Sequence, residues 1–387
     1  MTNLIGADLQ VAAQPSHGKI QAPRRAILAA ALGLVPSASF LDHPGAASTV
    51  IGRIAAPVTN QNAMAEWRHF KARFLLPEGR VTDNANGGIS HSEGQGTVML
   101  LAVRFDEPEV FERALGWTCG ALARPSDQLL VWRHRPGESA RAADPNNATD
   151  GDLLVAWALV EAAEKWHRPA YRTLAQAMAR DILRNLVIEG PGGATLLPGV
   201  IGFRQPGGVT VNPSYYIFPA FQALNRVLPS PSWAALETGG LQLIRNARFG
   251  RWGLVPDWVA LPRAAGRPGI APGRPARFSY DAVRVPLYLV WGGHGGEQMV
   301  NAAARFWHDP AFRAMPAWAD LQNNQTSPYA ADPGIAAVAR LAAGSIGRTV
   351  AEGPAILSPT YYATALQLLV HLAQFDGTAE PALIASR

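Results

Sequence analysis

The chain has 387 residues, 48% of them hydrophobic and 16% charged, which is enough for one large domain or two ordinary ones and too apolar for a disordered protein. Its net charge of +5 is small for that length, and Lys and Arg are scattered without a run of five, so nucleic-acid binding has no footprint. The single cysteine, Cys119, excludes intrachain disulfides and multi-cysteine metal sites, and its apolar helical surroundings suit a buried small hydrophobe.

Residues 1–57 read as a leader, not as folded chain. Arg24-Arg25 precedes the apolar run Ala26–Val35, and small residues follow, which is the layout of an export signal. The adjacent arginines resemble a twin-arginine signal; the alternative is a disordered tail on a cytoplasmic protein. Past the leader, no segment approaches the roughly 18 apolar residues that a membrane span needs.

From residue 58 to 387 the pattern is that of a single, mainly helical domain. Apolar residues at three- and four-residue spacing predict helices over 61–75, 93–105, 108–123, 150–166, 169–187, 214–227, 231–247, 280–291, 296–307, 333–343 and 359–375. Short strand-like pieces such as Leu129–Trp132 and Trp252–Val255 lie between them, and long Gly/Pro loops run over 190–213 and 262–278. The chain holds 11 tryptophans, and Trp117, Trp132, Trp252, Trp258 and Trp291 sit beside loops, where they would serve either as core or as flat platforms for sugar rings.

Three acidic stretches stand at predicted helix starts. In Ser90-His91-Ser92-Glu93-Gly94-Gln95-Gly96, Glu93 has small neighbours that leave room for a bulky group, while Ser90-x-x-Glu93 also fits a capping box. In Thr149-Asp150-Gly151-Asp152 a second capping box occupies Asp152, and Asp150 is left in the first turn, where the helix dipole favours its charged form. In Ser279-Tyr280-Asp281-Ala282-Val283-Arg284, Arg284 lies one turn beyond Asp281. The pair is either a helix-surface ion pair or a carboxylate held ionised as a base. Helix starts gathered at one end of a helical barrel would bring these carboxylates across a cleft, as glycoside hydrolysis requires. A Glu at a helix start tends to be acidified, so its use as an acid depends on neighbouring carboxylates raising its pKa.

These residues resemble glycoside hydrolase family 8, and within it the endoglucanases associated with bacterial cellulose synthesis. The likeness rests on Ser92-Glu93-Gly94-Gln95-Gly96, Ala148–Leu159 with Ala162 and Trp166, Asn212-Pro213-Ser214-Tyr215, and Tyr280–Pro286, in that order, over residues 60–375. The resemblance implies an all-α (α/α)6 barrel with long loops and a few short strands, and a secreted or periplasmic inverting endo-β-1,4-glucanase. It implies Glu93 as proton donor, Asp281 as the base that activates water, and Asp150 as the residue that holds and distorts the sugar. Tyr215 would position the water, Arg284 would orient Asp281, Trp132 would be a stacking platform, and Asn212 and Gln95 would join the substrate site. The expected partner is a β-1,4-glucan chain, with the cellulose synthesis machinery as a further candidate. No cofactor is expected and no metal site, since His91 and Glu93 lack a ligand cluster. The open alternatives are a hydrolase of the same family acting on xylan, mixed-linkage glucan or chitosan, a non-catalytic glucan-binding component, and a polysaccharide lyase on a similar barrel.

Overall fold

The computed structural model describes residues 60–138, 144–190, 192–264, 266–347 and 355–378; the leader proposed at 1–57 lies outside them. Its helices are α1 (Gln61–Phe74), α2 (Ser92–Arg104), α3 (Pro108–Ala121), α4 (Thr149–Lys165), α5 (Pro169–Leu186), α6 (Phe218–Val227), α7 (Pro231–Asn246), α8 (Arg284–Trp291), α9 (Gln298–Trp307), α10 (Pro333–Ser345) and α11 (Tyr361–Thr378). Local chemistry sets several of these starts. Pro108, Pro169, Pro231 and Pro333 each open a helix, where a missing N–H costs nothing. Asn60 caps α1 through the Asn62 N–H at 2.8 Å, and Asp332 caps α10 through the Ile335 N–H at 2.9 Å.

Helices α2, α4, α6, α8, α10 and α11 touch one another in a closed ring, α11 returning to α2. Outside this ring, α3 packs on α2, α5 on α4 and α6, α7 on α6, α9 on α10, and α1 on α11. Alternating inner and outer helices of this kind form an (α/α)6 barrel, the expected fold. Inner helix α4 is packed on both sides, so it buries residues all round: every position from Thr149 to Val160 is buried. The clear face expected at Leu153, Leu154, Trp157, Ala158 and Val160 is therefore only part of what α4 buries. Among the described residues no helix is long and apolar enough to cross a membrane.

Two helices start later than their periodicity predicts. A short 3-10 turn at Pro213–Tyr215 precedes α6, because Pro219 cannot donate into a helix continuous from 214. Helix α8 begins at Arg284 and not at 280, since an earlier start would put Pro286 inside the helix. The predicted loops also hold strands. A four-stranded antiparallel sheet, in the strand order Arg204–Gln205, Gly208–Val211, Val259–Pro262 and Gly269–Ile270, pairs Val211 with Val259. Of the strand-like pieces, Leu130 and Leu254 make only isolated bridges, to Ala123 and Phe249.

The small residues around Glu93 have a packing purpose. A Cβ on Gly96 would lie 2.6 Å from the Leu154 Cβ, and one on Gly151 would lie 2.0 Å from Ser92 Oγ and 2.7 Å from Glu93 N. The room that these glycines leave is taken by the close approach of α2 and α4, not by a ligand as the sequence suggested. Gly151→Ala is expected to cost about 1–3 kcal/mol of stability by urea denaturation, because the backbones must part. Gly116→Ala, on an open face of α3, is the control and is expected to stabilise by up to about 1 kcal/mol.

Candidate active site

The N-terminal turns of α2 and α4, the turn before α6 and the turn before α8 meet at one end of the barrel. They carry Glu93, Asp150, Tyr215 and Asp281 respectively, and Arg284 lies among them, buried at 4% exposure. Its Nη1 donates to Glu93 Oε1 and stands 3.6 Å from Asp150 Oδ2. Its Nη2 donates to Asp281 Oδ1 at 2.8 Å and to Ser214 Oγ at 3.2 Å. The expected Asp281–Arg284 pair is thus present, but as one arm of a buried four-group cluster and not as a surface pair.

Neither capping box forms. His91 caps α2, its Nδ1 accepting the Gly94 N–H at 3.0 Å. Ser90 lies in the strand β1 (Ser90–His91) and accepts from Arg80 Nε at 2.7 Å. Glu93 is therefore free to reach Arg284. At the second site Thr149 donates to the Leu197 carbonyl at 2.6 Å, and Asp152 accepts from Leu130 N at 2.8 Å and Asn147 Nδ2 at 2.7 Å. Asp152 is structural, as expected, but it ties two loops together instead of capping.

The charges distribute in an unexpected way. Burial disfavours ionised Glu93, yet contact with Arg284 and proximity to His91 outweigh it and hold its carboxyl below the usual range. Burial, reinforced by Glu93, pushes Asp150 up to about 7 and overrides the helix dipole. Asp281 is also raised, by burial first, with Arg284 offsetting part of it. Glu93 is thus lowered and Asp281 raised, opposite in direction to what the expected roles of proton donor and base ask, because Arg284 reaches Glu93 as well as Asp281 while burial weighs on Asp281. Burial and the nearby Asp150 and Asp281 keep the Tyr215 hydroxyl protonated.

The remaining predicted residues divide. Asn212 Oδ1 accepts from Ser214 N at 3.0 Å and Ser214 Oγ at 2.7 Å. Its Nδ2 is buried without a well-formed hydrogen bond and faces Asp281, whose pKa it draws down. Trp132 joins the rim through its carbonyl, which accepts Ser92 N at 2.9 Å. Its indole donates to Asp144 at 2.8 Å, and the Arg133 guanidinium covers its ring at 4.9 Å. Gln95 must be corrected: it is fully buried, accepts the Val81 N–H at 2.7 Å and donates to Thr118 Oγ1 at 3.0 Å and the Gly79 carbonyl at 3.1 Å. Its amide pins the 79–81 segment to α2 and α3 and cannot face a substrate.

Sequence reasoning missed other members. His91 was weighed only as a metal ligand, though a His just before a helix can cap it; it packs on Tyr361 at 5.3 Å and has Asp83 at 3.7 Å. Trp258 stands edge-on to Tyr215 at 6.3 Å and lies flat against Phe203 at 5.8 Å, giving a wall of rings beside the carboxylates. Trp67, Trp157, Trp233, Trp291 and Trp307, by contrast, are core. Cys119 is a packing residue, its thiol pushed up to about 11 by burial.

An (α/α)6 barrel with carboxylates and an aromatic wall at the mouth of its inner helices suits a glycoside hydrolase. The profile of Glycosyl hydrolases family 8 matches residues 46–376, and the chain belongs to that family. It is 39% identical over 328 residues, 84% of this chain and 95% of the relative, to a Novacetimonas hansenii protein named "Probable endoglucanase". The solved endo-beta-1,4-glucanase CMCax from Acetobacter xylinum matches at a TM-score of 0.76 and 39% identity, covering 81% of this chain and 98% of that one. The Cel10 endoglucanase from Klebsiella pneumoniae matches at a TM-score of 0.76 and 36% identity, over 81% and 99%.

The raised pKa of Asp150 makes a stability prediction. Unfolded, an Asp ionises near 3.9; folded, Asp150 keeps its proton to about 7. The folded state therefore binds more protons between these values, and stability is lost as pH rises through the window. Asp150→Asn removes that loss. It should exceed the wild type by on the order of 1 kcal/mol at neutral pH, with the gap closing toward pH of about 4, as read by denaturant unfolding at each pH.

Proposed function

We propose that the chain is an inverting endo-β-1,4-glucanase. Glu93 protonates the leaving glycosidic oxygen, Asp281 takes a proton from the attacking water, and Asp150 holds the sugar ring at the cleavage point. The observation that carries this reading is the placement of Glu93 and Asp281 on the two arms of one guanidinium, with Asp150 beside them. In an inverting reaction a water held by the base attacks from the face opposite the leaving group, in a single displacement. Tyr215 positions that water, and Trp132 offers the glucan the ring face that Arg133 does not cover, while Trp258, stacked on Phe203 and under the Arg274 guanidinium, backs the wall. The names of the related solved enzymes support β-1,4-glucan as the substrate.

Donation requires Glu93 to carry a proton that Arg284 opposes. Asp150 supplies it: its carboxyl, at about 7, is protonated through the mildly acidic range. Sugar hydroxyls donating to Asp150 and Asp281 would favour their ionised forms, and the charge gathered there would raise Glu93. The proton moves within the cluster as the substrate docks, so the limbs of the pH profile belong to the cluster and not to single residues. A polymer outside the membrane also requires export, for which residues 1–57 are the proposed signal; trimming of nascent glucan beside a synthase belongs to the same proposal.

Reducing ends released from carboxymethylcellulose should exceed those from xylan, lichenan and chitosan. Glu93→Gln keeps the size of the side chain but has no proton to give, and is expected to lose about 10²–10⁴ in kcat; a Gln variant near wild-type activity would remove Glu93 from the mechanism. Proton NMR of early products should show α-anomers first. First-formed β-anomers would mean a retaining mechanism and end the role given to Asp281.

A further inference from the structure

Asp281 does not lie on a helix. It sits in the turn 279–283, and its aim depends on what holds that turn. The holder is Asp257, a buried residue outside every motif singled out in the sequence. Its Oδ1 accepts Ser279 N at 3.0 Å and Ala282 N at 2.8 Å, and its Oδ2 accepts the Ser279 hydroxyl. Its own N–H donates to the Arg277 carbonyl at 2.7 Å, and its chain neighbour is Trp258, the ring beside Tyr215. One side chain thus joins the turn that carries Asp281 to the strand segment that carries the aromatic wall.

An asparagine could accept both N–H groups without burying a charge. A carboxylate in this place is costly, because it is desolvated and repelled by Asp281. A costly group retained next to an active carboxylate is a candidate for function and not for stability alone. We propose that Asp257 is a positioning residue for Asp281: by accepting the Ser279 and Ala282 N–H groups it fixes the 279–282 turn and with it the aim of that carboxylate. This rests on Asp281 being the base.

The experiment compares Asp257→Asn, Asp257→Glu, Ser279→Ala and Asp281→Asn in the full chain, measuring kcat/KM across pH on carboxymethylcellulose. Asp257→Asn keeps an oxygen for both N–H groups, so its kcat is expected to stay within several-fold of the wild type with KM unchanged. Ser279→Ala leaves both N–H bonds in place and should do the same. Asp257→Glu displaces the turn, so kcat is expected to fall by as much as about 10²-fold with KM little changed. A normal kcat in Asp257→Glu overturns the proposal. Should that variant fail to fold, a loss of about 10²-fold in Asp257→Asn overturns it equally. Turnover retained in Asp281→Asn would instead bring down the assignment of the base, which separates the two failures.

Discussion

The Arg284 guanidinium is the group on which the site depends. Three carboxylates crowd the mouth of the barrel, Asp150 buried and Glu93 and Asp281 partly so, and their mutual repulsion needs an opposing charge. One fixed cation, donating to Glu93 and Asp281 and standing 3.6 Å from Asp150, lets them share the site. Being a planar fork, it can hold two carboxylates on separate arms at a set spacing, which the single ammonium of a lysine cannot. Burial, with Glu93 beside it, pushes Asp150 up to about 7, so a proton is held there through the mildly acidic range. A proton already in the site is what an enzyme needing both an acid and a base can use.

The barrel makes this crowding possible by delivering the inner helix starts to one place. Gly96 and Gly151 let α2 and α4 approach until Ser92 and Gly151 touch, which brings Glu93 beside Asp150. A set of buried polar groups then fixes the loops: Gln95 pins the 79–81 segment, Asp152 ties Leu130 to Asn147, and Asp257 holds the turn of Asp281. None of these is in contact with Arg284, yet each holds a segment next to one of the three carboxylates. Their burial is costly, and the continuous apolar core of the double ring of helices offsets it.

Much of the fold is legible in the sequence because its punctuation is local. Pro108, Pro169, Pro231 and Pro333 start helices where periodicity also begins, so most boundaries fall within a few residues of expectation. Errors arise where a local pattern is overruled from a distance. Ser90-x-x-Glu93 satisfies a capping box on paper, but His91 takes the Gly94 N–H and Arg284, 191 residues away in sequence, takes Glu93. Gln95 looks like a site residue because it neighbours one; helical geometry turns it to the opposite side, into the core. The lowered pKa of Glu93 comes from a guanidinium that the fold brings from 191 residues away, and no spacing encodes that. Asp257 has no motif around it, since it acts through backbone N–H groups that carry no residue signature.

The central claim is that Arg284 sets the charge of Glu93 by direct contact. Carbon-13 NMR of the Glu93 side-chain carboxyl, followed across the acid range in the wild type and in Arg284→Met, tests it directly. In the wild type Glu93 should titrate below the usual glutamate range, and without the guanidinium it should titrate above it, since burial and its acidic neighbours would then act unopposed. A Glu93 that titrates alike in both proteins would contradict the account.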